Sequence, residues 1–195
     1  MRYSQRKTAQ NCDSFCNQND GSDMRDRAIQ LQPVGVVKTD LSNDEVRESW
    51  HEGINAEIEI FEEYAPALDR IEGFSHLMVL FYLHETTKAQ RGTLQARPKR
   101  FVRYGLKLED LPLVGVFCLD SPHRPNPLGL TIVRLLSRQG NVLTVGGLDA
   151  FNNTPVLDIK PYTPERCMAD IELPDWYKLL QRHLQAEDAD SNPGA

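Results

Sequence analysis

Two apolar runs that lie close together in the second half of the chain constrain its fold most strongly. LTIVRLL (130–136) and VLTVGGL (142–148) are rich in β-branched residues, and only the five residues SRQGN separate them. β-Branched residues favour strands, and a parallel pair needs a crossover of about a dozen residues or more. The two runs must therefore form an antiparallel hairpin.

Further short runs with strand character precede this hairpin. They are LQPVGVVKT (31–39), AEIEIF (56–61), HLMVLFYL (76–83) and LVGVFCL (113–119). In the second of them Ile58 and Ile60 face one way and Glu57 and Glu59 the other, which is the pattern of a half-buried strand. Sequential antiparallel strands with little helix predict a sandwich or a barrel rather than a doubly wound sheet.

One clear helix is predicted near the C-terminus, in PDWYKLLQRHLQ (174–185), with Asp175 as its N-cap. Polar segments without periodicity flank the remainder. We therefore predict one domain over 29–185, with a flexible leader (1–28) and a flexible tail (186–195). No apolar run reaches the roughly 18 residues of a membrane helix, and the N-terminus has no signal-peptide core. We expect a cytoplasmic protein that does not associate with membranes.

The four cysteines, Cys12, Cys16, Cys118 and Cys167, do not follow the usual spacing of a zinc site. We interpret them as reduced and not bound to metal. Cys118 lies within an apolar run, which predicts a buried strand residue.

Positive charge is concentrated in the middle of an acidic chain. Residues 86–148 contain ten Lys and Arg residues and three acids, whereas the whole chain has a net charge of −6. Residues 86–108 contain seven cations and no acid. This asymmetry fits an anion-facing surface, although a solvated loop with scattered cations would produce the same pattern.

The segment SPHRPNPLGLT (121–131) predicts a stiff loop. Three prolines in six residues restrict φ and remove backbone donors, which a strand interior does not tolerate. The loop presents His123, Arg124 and Asn126, whose hydrogen-bonding groups differ. Such a loop can form part of a binding site because it loses little entropy on binding, or it can be a purely structural turn.

A second polar segment and two histidines are further candidates for a functional site. LDAFNNTPVLDIKPY (148–162) contains Asx residues beside prolines, which often only form turns. His76 and His84 flank an apolar strand, too far apart to share a metal, so an edge position is expected for each. The sequence contains no G-x-G-x-x-G motif after a strand, no P-loop, no G-x-S-x-G and no H-E-x-x-H. The sequence therefore gives no support for a Rossmann or P-loop nucleotide site, a serine hydrolase site or a zinc protease site.

Two long runs carry a family resemblance. VFCLDSPHRPNPLGLTIVRLL (116–136) and LTVGGLDAFNNTPVLDIKPYTP (143–164) resemble the hallmark region of the TrmO family, also called TsaA or YaeB. EGFSHLMVLFYLHE (72–85) is similar to its middle segment. The resemblance covers about residues 30–166. It implies a mainly β protein, a compact antiparallel β-barrel with a few short helices, that forms a homodimer and binds S-adenosyl-L-methionine without a Rossmann fold.

The resemblance also implies an activity and a set of site residues. In the characterised bacterial members the methyl acceptor is the exocyclic amine of N6-threonylcarbamoyladenosine in the tRNA anticodon loop. Carried onto this chain, the methyl donor is expected to contact His84, Glu85, Asp120, Leu130, Ala150, Phe151, Asn152 and Asn153. Arg124 and Asn126 are expected to organise the site. We hypothesise that Asp149 or His84 accepts the proton, and that Lys99, Arg100 and Arg103 contact RNA phosphates.

Two departures from the family pattern bear on the substrate. Asp120 stands where the family usually has Arg, and Asn152-Asn153 replaces the usual Asp-Gly before Thr154-Pro155. The chain is also shorter than longer bacterial members, so a separate tRNA-gripping region is expected to be missing. Two alternatives therefore stand beside tRNA methylation. One is methylation of a small molecule, and the other is a regulatory module that binds S-adenosyl-L-methionine without catalysis.

Overall fold

The structure, a computed structural model, describes residues 28–191 and the side chains of residues 28–183. The leader predicted for 1–28, with Cys12 and Cys16, lies almost entirely outside these residues, as does the end of the predicted tail. The chain divides into the units Met1–Leu31 and Gln32–Ala195. Every element described below belongs to the second unit.

Strands dominate the described part of the chain. In chain order the strands and helices are β1 (Gly35–Lys38), α1 (Asn43–Glu48), β2 (Ile54–Ile60), β3 (His76–Tyr82), α2 (Lys88–Arg91), β4 (Gln95–Ala96), β5 (Val114–Gly115), β6 (Leu128–Gln139), β7 (Val142–Leu148), β8 (Pro155–Pro161) and α3 (Asp175–Ser191). Short 3-10 helices connect them at Glu62–Leu68, Lys99–Tyr104, Leu108–Asp110, Val116–Cys118 and Pro164–Arg166.

Six of the strands close into a barrel in the order β1-β2-β7-β6-β3-β8, and β8 returns to β1. Every neighbouring pair is antiparallel. The predicted hairpin is confirmed as β6 and β7, whose ladder includes Leu135 opposite Val145. The mainly β fold and the antiparallel barrel are therefore confirmed, as is the helix near the C-terminus, which runs from Asp175 to Ser191. Asp175 is its first residue and not the predicted N-cap, because the carbonyl of Pro174 accepts from the N–H groups of Tyr177 and Lys178 at 3.0 Å.

The inward face of each strand forms the core. The alternation predicted for β2 is confirmed: Ile58 is fully buried and Ile60 is 3% exposed, while Glu57 faces out. Leu143 and Val145 alternate in the same way on β7. Burial of one branched side chain stabilises a fold by about 1.5–3 kcal/mol, so the period of two determines which face of each strand turns inward.

A second, smaller apolar cluster attaches α3 to the segment between β4 and β5. Leu180 of α3 is buried against Phe101 and Leu111, and Trp176 packs at the edge of the cluster. Among the described residues, no helix combines the length and apolar character that crossing a bilayer would require.

The strand predicted over 113–119 is wrong in most of its length. Only Val114–Gly115 is a strand, paired with β4, and a 3-10 helix follows. The barrel is already closed by six other strands, so it has no free edge with which this segment could form a longer ladder. Cys118 is exposed rather than buried. In this turn Val116 points inward, whereas Phe117 is 82% exposed.

Candidate functional site

One end of the barrel collects the segments that carried the polar motifs. Since neighbouring strands are antiparallel, β1, β3 and β7 end there, and β2, β6 and β8 begin there. A cavity of about 600 Å³ lies at this end, within the roughly 300–1,000 Å³ of typical small-molecule sites. Its lining residues are Val46, Arg47, Trp50, Phe81, Leu83, His84, Glu85, Thr86, Gln90, Asp120, Ser121, Pro122, His123, Arg124, Leu128, Gly129, Leu130, Asp149, Ala150, Phe151 and Thr154.

The floor of the cavity depends on close packing between β3 and β6. Phe81, which is 2% exposed, stands opposite Gly129 in the ladder. A Cβ atom at Gly129 would lie 2.2 Å from Cε2 of the Phe81 ring. Only glycine therefore leaves room for the Phe81 ring at this position, and the ring gives the cavity an apolar base.

The proline loop forms one wall of the cavity, and hydrogen bonds from its own residues hold it in place. The guanidinium of Arg124 donates hydrogen bonds to the carbonyl oxygens of Val116, at 2.9 Å, and Leu119, at 2.7 Å. The backbone N–H of His123 also donates to Ser121 Oγ at 3.2 Å. Arg124 thus ties the loop to the preceding turn, which makes it a positioning residue for this wall.

A carboxyl group with a perturbed pKa faces the cavity from the end of β7. Asp149 is accessible from the cavity, yet enough protein surrounds it that burial raises its pKa above the ordinary value. The negative charge of Asp120 adds to this rise, while a hydrogen bond from the Thr131 hydroxyl opposes it. Such a carboxylate is a stronger proton acceptor near neutral pH than an ordinary aspartate.

The residues after β3 are held by side chains from other segments. Glu85 accepts a hydrogen bond from Asn43 Nδ2 at 2.7 Å and lies 3.9 Å from a guanidinium nitrogen of Arg47. His84 Nδ1 is 3.4 Å from the hydroxyl of Thr154, a side chain that is only 2% exposed. His84 is therefore anchored to the start of β8, as expected of a residue at a strand edge.

Helix α1 supplies a wall that the sequence reasoning missed. It places Arg47 at the cavity, where its guanidinium lies 4.8 Å above the ring centroid of Phe151, and Trp50 follows it. A local signal for this helix was present. Ser42 and Glu45 form a capping box, in which each side chain bonds the other's backbone N–H, and the S-x-x-E pattern is a known start signal.

The barrel brings together most of the residues predicted for the site. Those that line the cavity are Arg124, Asp149, His84, Glu85, Asp120, Leu130, Ala150 and Phe151. Asn126 is exposed and lies outside it, with its carbonyl accepting from the N–H of Leu128 at 2.8 Å. Asn152 and Asn153 also lie outside the lining, because their turn is hydrogen-bonded to the end of β1. Asn153 adopts φ +61°, the left-handed conformation expected where the family has glycine.

The three predicted phosphate-binding cations have different surroundings. Lys99 is exposed. Arg100 is 29% exposed and is held between the rings of Phe101 and Tyr177, with a nitrogen 4.0 Å from Asp120. Arg103 is exposed, and it donates a hydrogen bond to the backbone carbonyl of Arg47 at 2.8 Å.

Comparison with known proteins gives consistent matches. Residues 46–167 match the family described as the tRNA-methyltransferase O N-terminal domain. A probable S-adenosyl-L-methionine-binding protein from Methanothermobacter thermautotrophicus is 41% identical over 143 residues, which cover 71% of this chain and 93% of that protein. The tRNA (adenine(37)-N6)-methyltransferase of Escherichia coli is 32% identical over 147 residues, 70% of this chain and 59% of the enzyme.

A solved structure agrees with these matches. A crystal structure of TrmO superimposes with a TM-score of 0.57 at 26% identity, covering 75% of this chain and 64% of that one. The match with this chain spans a different fraction of each relative's length. A probable S-adenosyl-L-methionine-binding protein from Archaeoglobus fulgidus is 42% identical over 139 residues, yet the match spans only 34% of its length.

Proposed function

We propose a function from one premise: the chain belongs to the TrmO family, that of the tRNA-methyltransferase O N-terminal domain. The function is transfer of a methyl group from S-adenosyl-L-methionine to the exocyclic amine of N6-threonylcarbamoyladenosine in the anticodon loop of a tRNA. The observation that carries it is the cavity at the barrel end, where Asp149 faces an apolar floor. The names of the bacterial and archaeal relatives support the cofactor and the acceptor class.

The residues of the cavity fit S-adenosyl-L-methionine. The volume of about 600 Å³ suits a nucleoside with an amino-acid arm. Phe81 and Leu83 offer apolar surface to an adenine ring, and the carboxylates Glu85, Asp120 and Asp149 favour a ligand that carries a sulfonium and an ammonium group. When bound, this cofactor supplies an electrophilic methyl group.

The contribution of the chain to the reaction is alignment and proton acceptance. Methyl transfer is an in-line displacement, so holding two partners in register lowers the barrier most. Arg124 contributes by keeping the proline loop in place. Asp149 is our candidate for the proton acceptor, because an amine conjugated to a carbonyl is weakly nucleophilic and the pKa of this carboxyl group is raised. Thr131 orients it with a hydrogen bond.

The exposed cations of the segment between β4 and β5 would hold the RNA backbone. An anticodon loop is single-stranded, so a base can be turned into a pocket while cations contact its phosphates. Lys99 and Arg103 are exposed and suited to this role. Arg100 is largely enclosed, and we assign it to the edge of the cavity, next to Asp120. With tRNA as acceptor, the protein acts in the cytoplasm.

We also propose that the protein is a homodimer. An apolar stripe on the outward face of β6 supports this, because the alternate residues Leu128, Leu130 and Ile132 are 38%, 62% and 46% exposed, and contiguous apolar surface often marks an interface. Sedimentation velocity tests it. The wild type should sediment as a dimer and Ile132→Glu as a monomer, whereas a wild-type monomer would refute it.

The activity is tested with methyl-labelled S-adenosyl-L-methionine and tRNA, with and without the threonylcarbamoyl group, followed by nucleoside analysis. The expected product is methylated N6-threonylcarbamoyladenosine, made by the wild type but not by Asp149→Asn. Asp69→Asn is the matched control, since Asp69 is exposed and follows the 3-10 helix between β2 and β3. Cofactor binding without methylation of either tRNA would refute the proposal and favour a small-molecule acceptor or a regulatory module.

A further inference from the structure

A set of planar side chains runs outward from one wall of the cavity. Arg47, Trp50 and Phe151 line the cavity, and the Arg47 guanidinium stacks 4.8 Å from the centroid of the Phe151 ring. The rings of Trp50 and His51 have centroids 3.9 Å apart. His51 Nε2 lies 2.7 Å from the hydroxyl of Tyr104. The set thus leads without a break from the cavity to the protein surface.

A cation joins this set from a distant part of the chain. The Arg103 guanidinium lies 5.9 Å from the ring centroid of Trp50, and it donates to the backbone carbonyl of Arg47 at 2.8 Å. Arg103 is exposed, as are Lys99 and Lys107 on the same segment. This segment contains no acid between residues 86 and 108. The adjoining helix α1 contains the acids Asp44, Glu45 and Glu48, so the cations available to a phosphate come mainly from residues 99–107.

We call Arg47, Trp50, His51, Arg103 and Tyr104 the aromatic wall. We infer that it binds the nucleotides that flank the methyl acceptor in single-stranded RNA. The inference rests on the proposed function, and it adds where the RNA strand lies. Sites for single-stranded RNA combine a cationic track with rings and guanidinium planes on which successive bases stack. Trp50 and His51 supply such planes, and Arg103 supplies a charge for a phosphate.

Fluorescence of Trp50 tests the stacking directly. The chain contains two tryptophans, Trp50 and Trp176, so Trp176→Phe leaves Trp50 as the sole reporter. This protein, saturated with S-adenosyl-L-homocysteine, is titrated with an anticodon stem-loop RNA and with a duplex RNA of the same length. We expect the stem-loop to quench Trp50 and the duplex to leave it unchanged. Binding of the stem-loop without quenching would overturn the inference.

Affinity measurements on the full chain provide the second test. His51→Ala should weaken binding of the stem-loop about ten-fold or more, with the Kd for S-adenosyl-L-methionine unchanged. Arg103→Gln should reduce the salt dependence of RNA binding by about one phosphate contact, a slope change of about 0.7. Arg166→Gln is the matched control, because Arg166 is exposed and follows β8 at its far end. Thermal unfolding of each variant verifies that it is folded.

The outcomes separate this inference from the proposed function. If the wild type methylates tRNA while His51→Ala and Arg103→Gln bind RNA like the wild type, the aromatic wall is not the RNA track and the function stands. If the wild type neither binds the stem-loop nor methylates tRNA, the proposed function itself fails. If Arg166→Gln and Arg103→Gln lose the same amount of affinity for the stem-loop, the effect is one of overall charge, and this result would also overturn the inference.

Discussion

A methyl group added at Gly129 tests whether the floor of the cavity is packed as the structure shows. Gly129 lies opposite Phe81 in the β3–β6 ladder, and a Cβ on it would lie 2.2 Å from Cε2, 2.4 Å from Cζ and 2.8 Å from Cδ2 of the ring. Carbon atoms in contact are normally about 3.5–4.0 Å apart. In Gly129→Ala the ring must therefore move by about 1.3 Å or more, or the strands must separate.

The stability change follows from how enclosed the ring is. Phe81 is 2% exposed and its neighbours are core residues, so the ring can move only toward the cavity or by displacing packed atoms. Overpacking of this kind destabilises a fold by about 1–3 kcal/mol. Because three ring atoms would be too close to the new methyl group, we expect Gly129→Ala to lie in the upper part of this range, at about 2–3 kcal/mol. At about 2–4 °C per kcal/mol for a chain of this size, Tm should fall by roughly 4–12 °C.

Urea unfolding and thermal melts followed by circular dichroism measure this change. Gly115→Ala is the matched control, because Gly115 has φ −61° and a Cβ there would meet nothing within 4 Å. We expect the control to change stability by less than about 0.5 kcal/mol or to stabilise the fold slightly. Affinity for S-adenosyl-L-methionine should fall in Gly129→Ala, since Phe81 also lines the cavity.

A double-mutant cycle assigns the change to the ring itself. Phe81→Leu alone leaves a cavity, whereas in Phe81→Leu with Gly129→Ala the smaller side chain makes room for the new methyl. The two changes should therefore couple by about 1 kcal/mol or more in the favourable direction. If Gly129→Ala is as stable as Gly115→Ala, or if the two changes in the cycle simply add, the Phe81 ring does not pack against Gly129 as described.

Three further predictions follow from single residues. Because the pKa of Asp149 is raised by folding, its contribution to stability is full below the unfolded pKa and is lost as pH rises through the folded pKa. Asp149→Asn should therefore not lower Tm at pH 7, although it should abolish methyl transfer by removing the proton acceptor. The wild-type rate of methyl transfer should fall as pH drops through the raised pKa of Asp149, as a pH–rate profile would show. Arg124→Met removes the hydrogen bonds to the carbonyls of Val116 and Leu119, which should destabilise the fold by about 1–3 kcal/mol and speed amide exchange in 116–124. Asn153 has φ +61°, so Asn153→Val should cost about 1–2 kcal/mol and Asn153→Gly almost nothing, as urea unfolding would reveal.

Much of the fold could be predicted because its signals are local. The alternation in β2 and the five-residue connection between β6 and β7 act over a few residues, and both predictions are confirmed. The polar segment 148–162 was harder to interpret. Its Asx and Pro residues suggested turns, yet Pro155–Pro161 is the strand β8. That strand pairs with β1 and β3 and closes the barrel, for example through Val156 opposite Gly35 and Phe81, so its role depends on partners far away in the chain.

The candidate site shows the same division. The proline loop and the residues after β3 and β7 could be identified from their motifs, and they do line the cavity. Asn126 and Asn152 belong to the same motifs but lie outside it, because which side of a turn faces a cavity depends on what the turn packs against. The capping box of Ser42 and Glu45 signals the helix that carries Arg47, but no local pattern places Arg47 and Trp50 at the cavity, because α1 reaches it only through the closed barrel.

Local patterns in the amino-acid sequence specify the strand periodicity, the β6–β7 hairpin, the stiff loop at 121–127 and the excess of cations between residues 86 and 108. Three other features depend on contacts between distant segments: β8 closes the barrel, the run at 113–119 finds no long ladder, and Asp149 meets Arg47 and Trp50 around one cavity. Strand propensity and turn chemistry act between near neighbours in the chain. The pairing order of a barrel, and the desolvation that raises the pKa of Asp149, arise only when distant segments exclude water together.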